Sequence, residues 1–204
     1  MSRSTSGSKS KGESGEFHLS PFTVIRDTRE QHPFQFTGLK DGASPLVVCV
    51  RDMTLPSGDY SIEGFEQKIA IERKSLEDLY GTLTRGRERF ERELERLGEF
   101  EFSAVVIEAG WRQIIYSPPP ATSVSPKSIY RSILAFQQRY RNTQWCAMDS
   151  RRLAEVTTYR MLERYWIDHV EKPAADARRA ERKIQRSQQE GIGRARNEGK
   201  EVAR

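Results

Sequence analysis

Ile69-Ala70-Ile71 runs straight into Glu72-Arg73-Lys74, and no other stretch limits the fold of this chain as tightly. The apolar triplet reads as a buried strand, yet the charges that follow need a metal or partners to be tolerated there. Glu72 and Lys74 are two apart, so on a strand they project from one face. Upstream, residues 59–62 have strand character, and Glu63-Gly64-Phe65-Glu66 between the two segments reads as a turn. Antiparallel pairing across that turn sets Asp59 roughly opposite Ile71 and Glu72. Two carboxylates and an ammonium then share one small patch. Hard oxygen ligands suit Mg²⁺ or Mn²⁺, and a lysine beside them can orient or deprotonate a water. Such a set is suited to hydrolysing a phosphodiester. Glu and Lys two apart on a strand are also common on solvated faces and in cross-strand ion pairs, so the flanking sequence has to carry the distinction.

The composition fits one domain with polar ends: 204 residues, 36% hydrophobic and 31% charged, with a mean hydropathy of −0.74. A net charge of +5 gives a mild bias toward polyanions. No apolar run reaches membrane-span length, and the start, Met1-Ser2-Arg3-Ser4-Thr5, lacks the apolar core of a secretion signal. An intracellular place is expected, in the cytoplasm or nucleoid, with no membrane partner. Cys49 and Cys146 fall in predicted strands and are expected to be buried reduced thiols. His18, His32 and His169 lack the spacing of a zinc site.

Residues 1–19 are assigned to a disordered N-terminal arm, since Ser, Gly, Lys and Glu dominate its start without periodicity. From Pro173 to Arg204 the chain is basic and polar, and it is assigned to a C-terminal tail with no apolar stripe on which a helix could dock. The ordered domain is expected over 20–172. Within it, 22–27, 46–51, 59–62 and 68–73 read as strands. A helix should start at Ser75 as N-cap and turn Leu76, Leu79 and Leu83 inward. A second covers 87–97, with Phe90, Leu94 and Leu97 at helical spacing. The continuous apolar run in 103–109 predicts a covered strand. Ser125-Pro126 opens a helix carrying Ile129, Ile133, Phe136 and Tyr140. A strand at 145–148 and a helix capped by Asp149-Ser150 complete an α/β domain with a central mixed sheet.

In this order, the motifs resemble the nuclease domain of the XPF family (ERCC4 type), within the PD-(D/E)xK superfamily. Val24-Ile25-Arg26-Asp27-Thr28-Arg29-Glu30 resembles the family's opening strand and Asp-x-Arg-Glu. Leu55-Pro56-Ser57-Gly58-Asp59-Tyr60 resembles its Gly-Asp-Tyr element, and Glu72-Arg73-Lys74-Ser75-Leu76-Glu77-Asp78 its Glu-Arg-Lys-x-x-x-Asp signature. The resemblance implies a restriction-endonuclease-like three-layer domain: a central mixed β-sheet flanked by helices, with disordered termini. It implies a metal-dependent DNA endonuclease that uses Mg²⁺ or Mn²⁺ on branched, flapped or duplex DNA, in repair, recombination or phage DNA processing. It places Asp59, Glu72 and Asp27 as metal ligands and Lys74 as the residue that positions or activates the water. Glu30 and Asp78 join the acidic cluster, and Arg73 helps through its carbonyl or by bracing carboxylates. Arg29, Arg85, Arg87 and Arg89 are candidates to hold DNA, although Glu88 and Arg92 make the 85–89 stretch equally suited to a salt-bridged helix face. The tail carries no helix-hairpin-helix pattern, so a compact single-domain form is expected, with a homodimer left open. The sequence also departs from the family pattern. After Gly86-Arg87, it carries Glu91 or Glu93 where a glutamine is usual. A non-catalytic DNA-binding module of the same fold is the alternative.

Overall fold

The structure is a computed structural model and describes residues 16–120 and 122–201, with side chains described as far as Arg186. The arm expected over 1–19 lies mostly outside the described residues, and β1 already begins within its last two positions. Two compact units divide the chain at Thr157/Thr158.

The first unit contains one seven-stranded mixed sheet. Its strands are β1 (His18–Asp27), β2 (Leu39–Asp41), β3 (Ser44–Met53), β4 (Tyr60–Ile62), β5 (Ile69–Lys74), β6 (Phe102–Ile107) and β7 (Thr143–Ala147), in the order β2-β3-β1-β4-β5-β6-β7. β4 runs antiparallel to both β1 and β5, whereas β5, β6 and β7 are mutually parallel. The helices are α1 (Leu76–Thr82), α2 (Arg87–Leu97), α3 (Trp111–Tyr116), α4 (Pro126–Arg139) and the start of α5 (Arg151–Trp166). An α/β domain built on a mixed sheet is what the sequence predicts.

Alternation along β5 divides the core. Ala70 joins Val105 and Ile107 of β6 in one apolar cluster with Leu79 of α1, Phe90 and Leu94 of α2, and Ile133 and Phe136 of α4. Ile71 lies opposite Tyr60 and therefore points the other way. On that face Tyr60 stacks on Phe34 at 5.2 Å and meets Phe36 edge-on at 5.5 Å. The Tyr60 hydroxyl accepts a hydrogen bond from the Phe34 amide at 2.7 Å. Glu155, in the first turns of α5, accepts from the Gln35 and Phe36 amides, and Arg152 donates to the carbonyls of Thr37 and Gly38. These ties hold Phe36 at φ 54°, a left-handed conformation that costs energy for any side chain.

All seven of the strands and helices that anchor the sequence-based order from 59 to 147 occur, with ends shifted by a few residues. Ser75 caps α1, its hydroxyl accepting from the Asp78 amide at 3.1 Å. Two elements are additional. β2 is three residues long and α3 six, too short to show a period, and β2 exists through its pairing of Leu39 with Leu46. The thiols correct the expectation: Cys49 is exposed and Cys146 half-buried. Cys49 alternates outward on β3, on the same side as exposed Val47.

The second unit is helical in its described part. α5 passes through a π-helical turn (Ile167–Glu171) into α6 (Lys172–Glu201). The sequence predicts a tail without docked structure from Pro173. Its Ala, Arg, Lys, Glu and Gln content favours helix without burial, and Pro173 falls in the first turn of α6, where a missing N–H is tolerated. Asp168 pairs with Arg164 and Lys172 across the junction. Among the described residues, no helix is long and apolar enough to cross a membrane.

Replacing Tyr60 by Phe removes one oxygen and strands the buried Phe34 amide. Unfolding in urea should show a loss of about 1–3 kcal/mol, with an unchanged slope against denaturant. Unchanged stability would mean that the Phe34–Phe36 loop is held without this bond.

Candidate active site

Gly58 brings the chain into the site. Its φ is +75°, and a Cβ there would lie 3.2 Å from the Ala70 Cβ and the Ile71 carbonyl oxygen. Only glycine combines that backbone with so close an approach to β5. Asp59 then docks through two bonds to β5 and one to β1. Its amide donates to Ile71 O at 2.8 Å, its carbonyl accepts from Asp27 N at 2.8 Å, and its Oδ2 accepts from Arg73 N at 2.7 Å. Glu72 is 4% exposed and accepts the Lys74 ammonium on Oε1. Lys74 Nζ sits 5.2 Å from the centre of the Phe90 ring, so both side chains point toward α2. Among the described residues, no hydrogen bond reaches Asp59 Oδ1 or Glu72 Oε2. A cavity of about 300 Å³ opens over the group and is also lined by Glu30, His32 and Asp78.

Electrostatics mark the cluster as short of positive charge. Burial pushes the Asp59 carboxyl well above the usual carboxylate range, and the Glu72 charge adds to the shift. Burial raises Glu72 as well, against the pull of Lys74, and Glu93 pushes it further up. For Lys74, burial favours the neutral amine, but the charge and hydrogen bond of Glu72, helped by Asp59 and Glu93, outweigh it and raise its pKa. Lys74 is therefore an ammonium at neutral pH.

The sequence-predicted site residues separate into two groups. Asp59, Glu72 and Lys74 come together as expected. Asp78 lies at the cavity rim, where its carboxylate accepts from the Ser75 hydroxyl at 2.8 Å. Arg73 alternates to the opposite face of β5, over Phe34, and donates to Glu108 at 2.7 Å and to Glu30 at 3.4 Å. Arg151 completes this network by donating to Glu108 and to the carbonyls of His32 and Pro33. Glu30 thus lines the cavity but is engaged by Arg73. Asp27, expected as a metal ligand, is not brought to the cluster. Both of its oxygens are taken by the Arg29 side chain and by the amides of Arg29 and Leu55. Burial alone would raise its pKa; these donors hold it below the usual range. Arg29 is correspondingly committed to Asp27 and to Leu55 O. Arg87 is a brace too: it reaches Ser132 Oγ, pairs with Glu91 and lies 4.6 Å over the Phe136 ring. Arg85 and Arg89 remain exposed along a groove beside α1. Glu93 is the residue that sequence reasoning left without a role. It lies where its charge acts on Glu72, Lys74 and Arg29, and it accepts from Ser57 Oγ at 3.3 Å. The glutamic acid in a family glutamine position was the signal available for it.

Among the described residues, no group of three or more acidic, histidine or cysteine side chains forms a ready cage for a metal ion. Half-buried Asp59 and buried Glu72, with one open oxygen each, do fit Mg²⁺ or Mn²⁺. Mg²⁺ keeps several waters and binds through one or two carboxylates plus substrate phosphate. A carboxyl raised in the folded state contributes stability that is fully present below its unfolded pKa, near 4, and is lost as pH rises through its folded value. Asp59→Asn should therefore melt above the wild type in EDTA at pH 7, by about 2–4 °C for each ~1 kcal/mol relieved. The gap should close as pH falls toward about 4. A lower melting temperature for the variant at pH 7 would contradict an unneutralised cluster.

A model of the ERCC4 domain matches residues 26–159. XPF from Aeropyrum pernix is 22% identical over 69% of this chain and 59% of that chain, with a TM-score of 0.49. For XPF from Aeropyrum pernix in complex with DNA, the identity is 22% over 72% of this chain and 66% of that one, with a TM-score of 0.48. The chain spans less than two thirds of the length of either structure. None of the curated proteins matches it. The family match takes in the Asp59 strand, the Glu-Arg-Lys strand and the braces behind them, and the chain belongs to the ERCC4 domain family.

Proposed function

We propose that the protein is a divalent-metal-dependent DNA endonuclease that hydrolyses phosphodiester bonds. One observation carries this: half-buried Asp59 and buried Glu72, at adjoining strand ends, each keep an oxygen open beside the Lys74 ammonium. Asp59 Oδ1 and Glu72 Oε2 would hold Mg²⁺ or Mn²⁺. Bound there, the ion would neutralise charge on the scissile phosphate and lower the pKa of a bound water.

The chain's own groups do the rest. The Arg73 amide fixes the Asp59 carboxylate, so its open oxygen needs no reorganisation during the reaction. Lys74 is held as a cation by Glu72 and Asp59, which suits it to donate hydrogen bonds rather than to accept a proton. Its task is to orient the nucleophilic water and to stabilise charge that develops on the phosphate. Phe90 backs the ammonium and keeps that side of the site dry. The Arg73–Glu108–Arg151 network holds the strand end and the His32–Pro33 backbone in register behind the site. A non-catalytic DNA-binding module would have no need of a positive-φ glycine that seats Asp59 on β5 beside the buried carboxylate of Glu72.

Purified protein with Mg²⁺ or Mn²⁺ should nick splayed, flapped or duplex DNA, and EDTA should abolish the cleavage. Asp59→Ala and Lys74→Ala should each lower the single-turnover rate by at least about 10²-fold, with circular dichroism unchanged. Wild-type protein inert on all three substrates with either metal overturns the proposal.

A further inference from the structure

The cavity over Asp59, Glu72 and Lys74 does not end at α1. Asp78 lines both it and a second cavity bordered by Gly81, Arg85, Gly86 and Arg89. Glu77, Gly81 and Arg85 line that second cavity and also a third, whose far wall is Pro119, Thr122, Ser123 and Val124. Each cavity shares residues with the next, so together they trace a groove from the site along α1 to the 122–124 segment.

The floor of the groove is open at Gly81. A Cβ built there would meet nothing within 4 Å, and its backbone is helical without positive φ. The helix would accept alanine or leucine at this position, both better helix formers, so the glycine serves the space above it. Arg85 and Arg89 border that space as exposed guanidinium groups with no pairing among the described residues. Beyond Arg85 the walls turn to Pro119, Val124 and the hydroxyls of Thr122 and Ser123. A duplex presents its phosphates to a protein surface and keeps base faces stacked inside. A concave path with cations on one wall and apolar and hydroxyl groups on the other suits a strand whose bases are unstacked.

We infer that this groove holds a single strand of DNA continuing from the scissile phosphate, with Arg85 and Arg89 on its backbone and Gly81 leaving room for it. The inference rests on the nuclease proposal for the site at its head. Glu77 repels phosphate and confines the backbone to the Arg85–Arg89 wall.

Binding measured in EDTA separates the groove from the chemistry. The probes are a labelled single-stranded oligonucleotide and the same sequence as blunt duplex, titrated by fluorescence anisotropy. Gly81→Leu fills the groove without changing charge, and Arg85→Ala removes one cation. Arg96→Glu, an exposed charge reversal on α2 outside the groove, controls for long-range charge. Gly81→Leu should weaken single-strand binding about tenfold while melting no lower than the wild type. Arg85→Ala should reduce the slope of log affinity against log salt by about 0.7. Arg96→Glu should weaken binding less than Gly81→Leu does. Unchanged single-strand affinity in Gly81→Leu overturns the inference even if the wild type cleaves DNA. Equal loss for duplex and single strand overturns the assignment to a single strand. Loss of cleavage in Lys74→Ala with the groove effects intact leaves the inference standing.

Discussion

The hydrogen bond from the Arg73 amide to Asp59 Oδ2, 2.7 Å long, is the contact on which the rest of the site depends. With the Asp59 amide on Ile71 O at 2.8 Å, it joins the end of β5 to the approach of β4 at one register. Side chains on a strand alternate, so a one-residue slip would exchange the two faces completely. Glu72 and Lys74 would then point away from Phe90, and Arg73 would take their side of the strand. Gly58 makes the contact attainable, because any side chain there would press on Ala70 and Ile71.

That fixed parity explains why neighbouring charges have unlike fates. Arg73 lies between Glu72 and Lys74 in sequence, yet its guanidinium is spent on Glu108 and Glu30 behind the sheet. Arg29 and Arg87 face similar decisions. Each has a carboxylate within reach, Asp27 for one and Glu91 for the other, and each also touches a second element. A planar fork that satisfies several acceptors at once is well suited to such bracing. Arg85 and Arg89 make no hydrogen bond or ion pair among the described residues, and they border open space.

Much of this could be seen in the sequence, for identifiable reasons. The apolar triplet ahead of Glu72 gave the strand, period two gave the shared face of Glu72 and Lys74, and the turn at Gly64 gave the antiparallel partner. Ser75 and Ser125-Pro126 announced their helices through backbone chemistry that is local in sequence. What stayed hidden depends on contacts between distant residues. Asp27 and Glu30 look alike in the Asp-x-Arg-Glu motif, but only the packing of Leu55 and Arg73 against them shows that both carboxylates are already engaged. Arg151 lies 43 residues from its partner Glu108, so no local pattern could have paired them. The tail differs again. Its helix follows from propensity, which the search for an apolar stripe disregards.

Charge balance on the two faces of β5 decides where a cation is wanted. On one face Arg73 and Arg151 meet Glu108, and Arg73 also reaches Glu30 at the cavity wall, so these charges close on one another. Toward α2, the carboxylates of Asp59, Glu72 and Glu93 face the single ammonium of Lys74, because Arg29 nearby is already neutralised by Asp27. Buried like charges at this spacing disfavour ionisation, as the raised carboxyls of Asp59 and Glu72 show. Relief can come from protons or from a cation. Protons would cost Lys74 its partner and leave the open oxygens without a task. A divalent ion would balance the face and use both open oxygens. Phosphate oxygens of a bound strand could then complete its coordination. The face that lacks a cation is also the face that opens onto the groove beside α1, so a metal held there, as proposed, would lie where a DNA backbone could reach it.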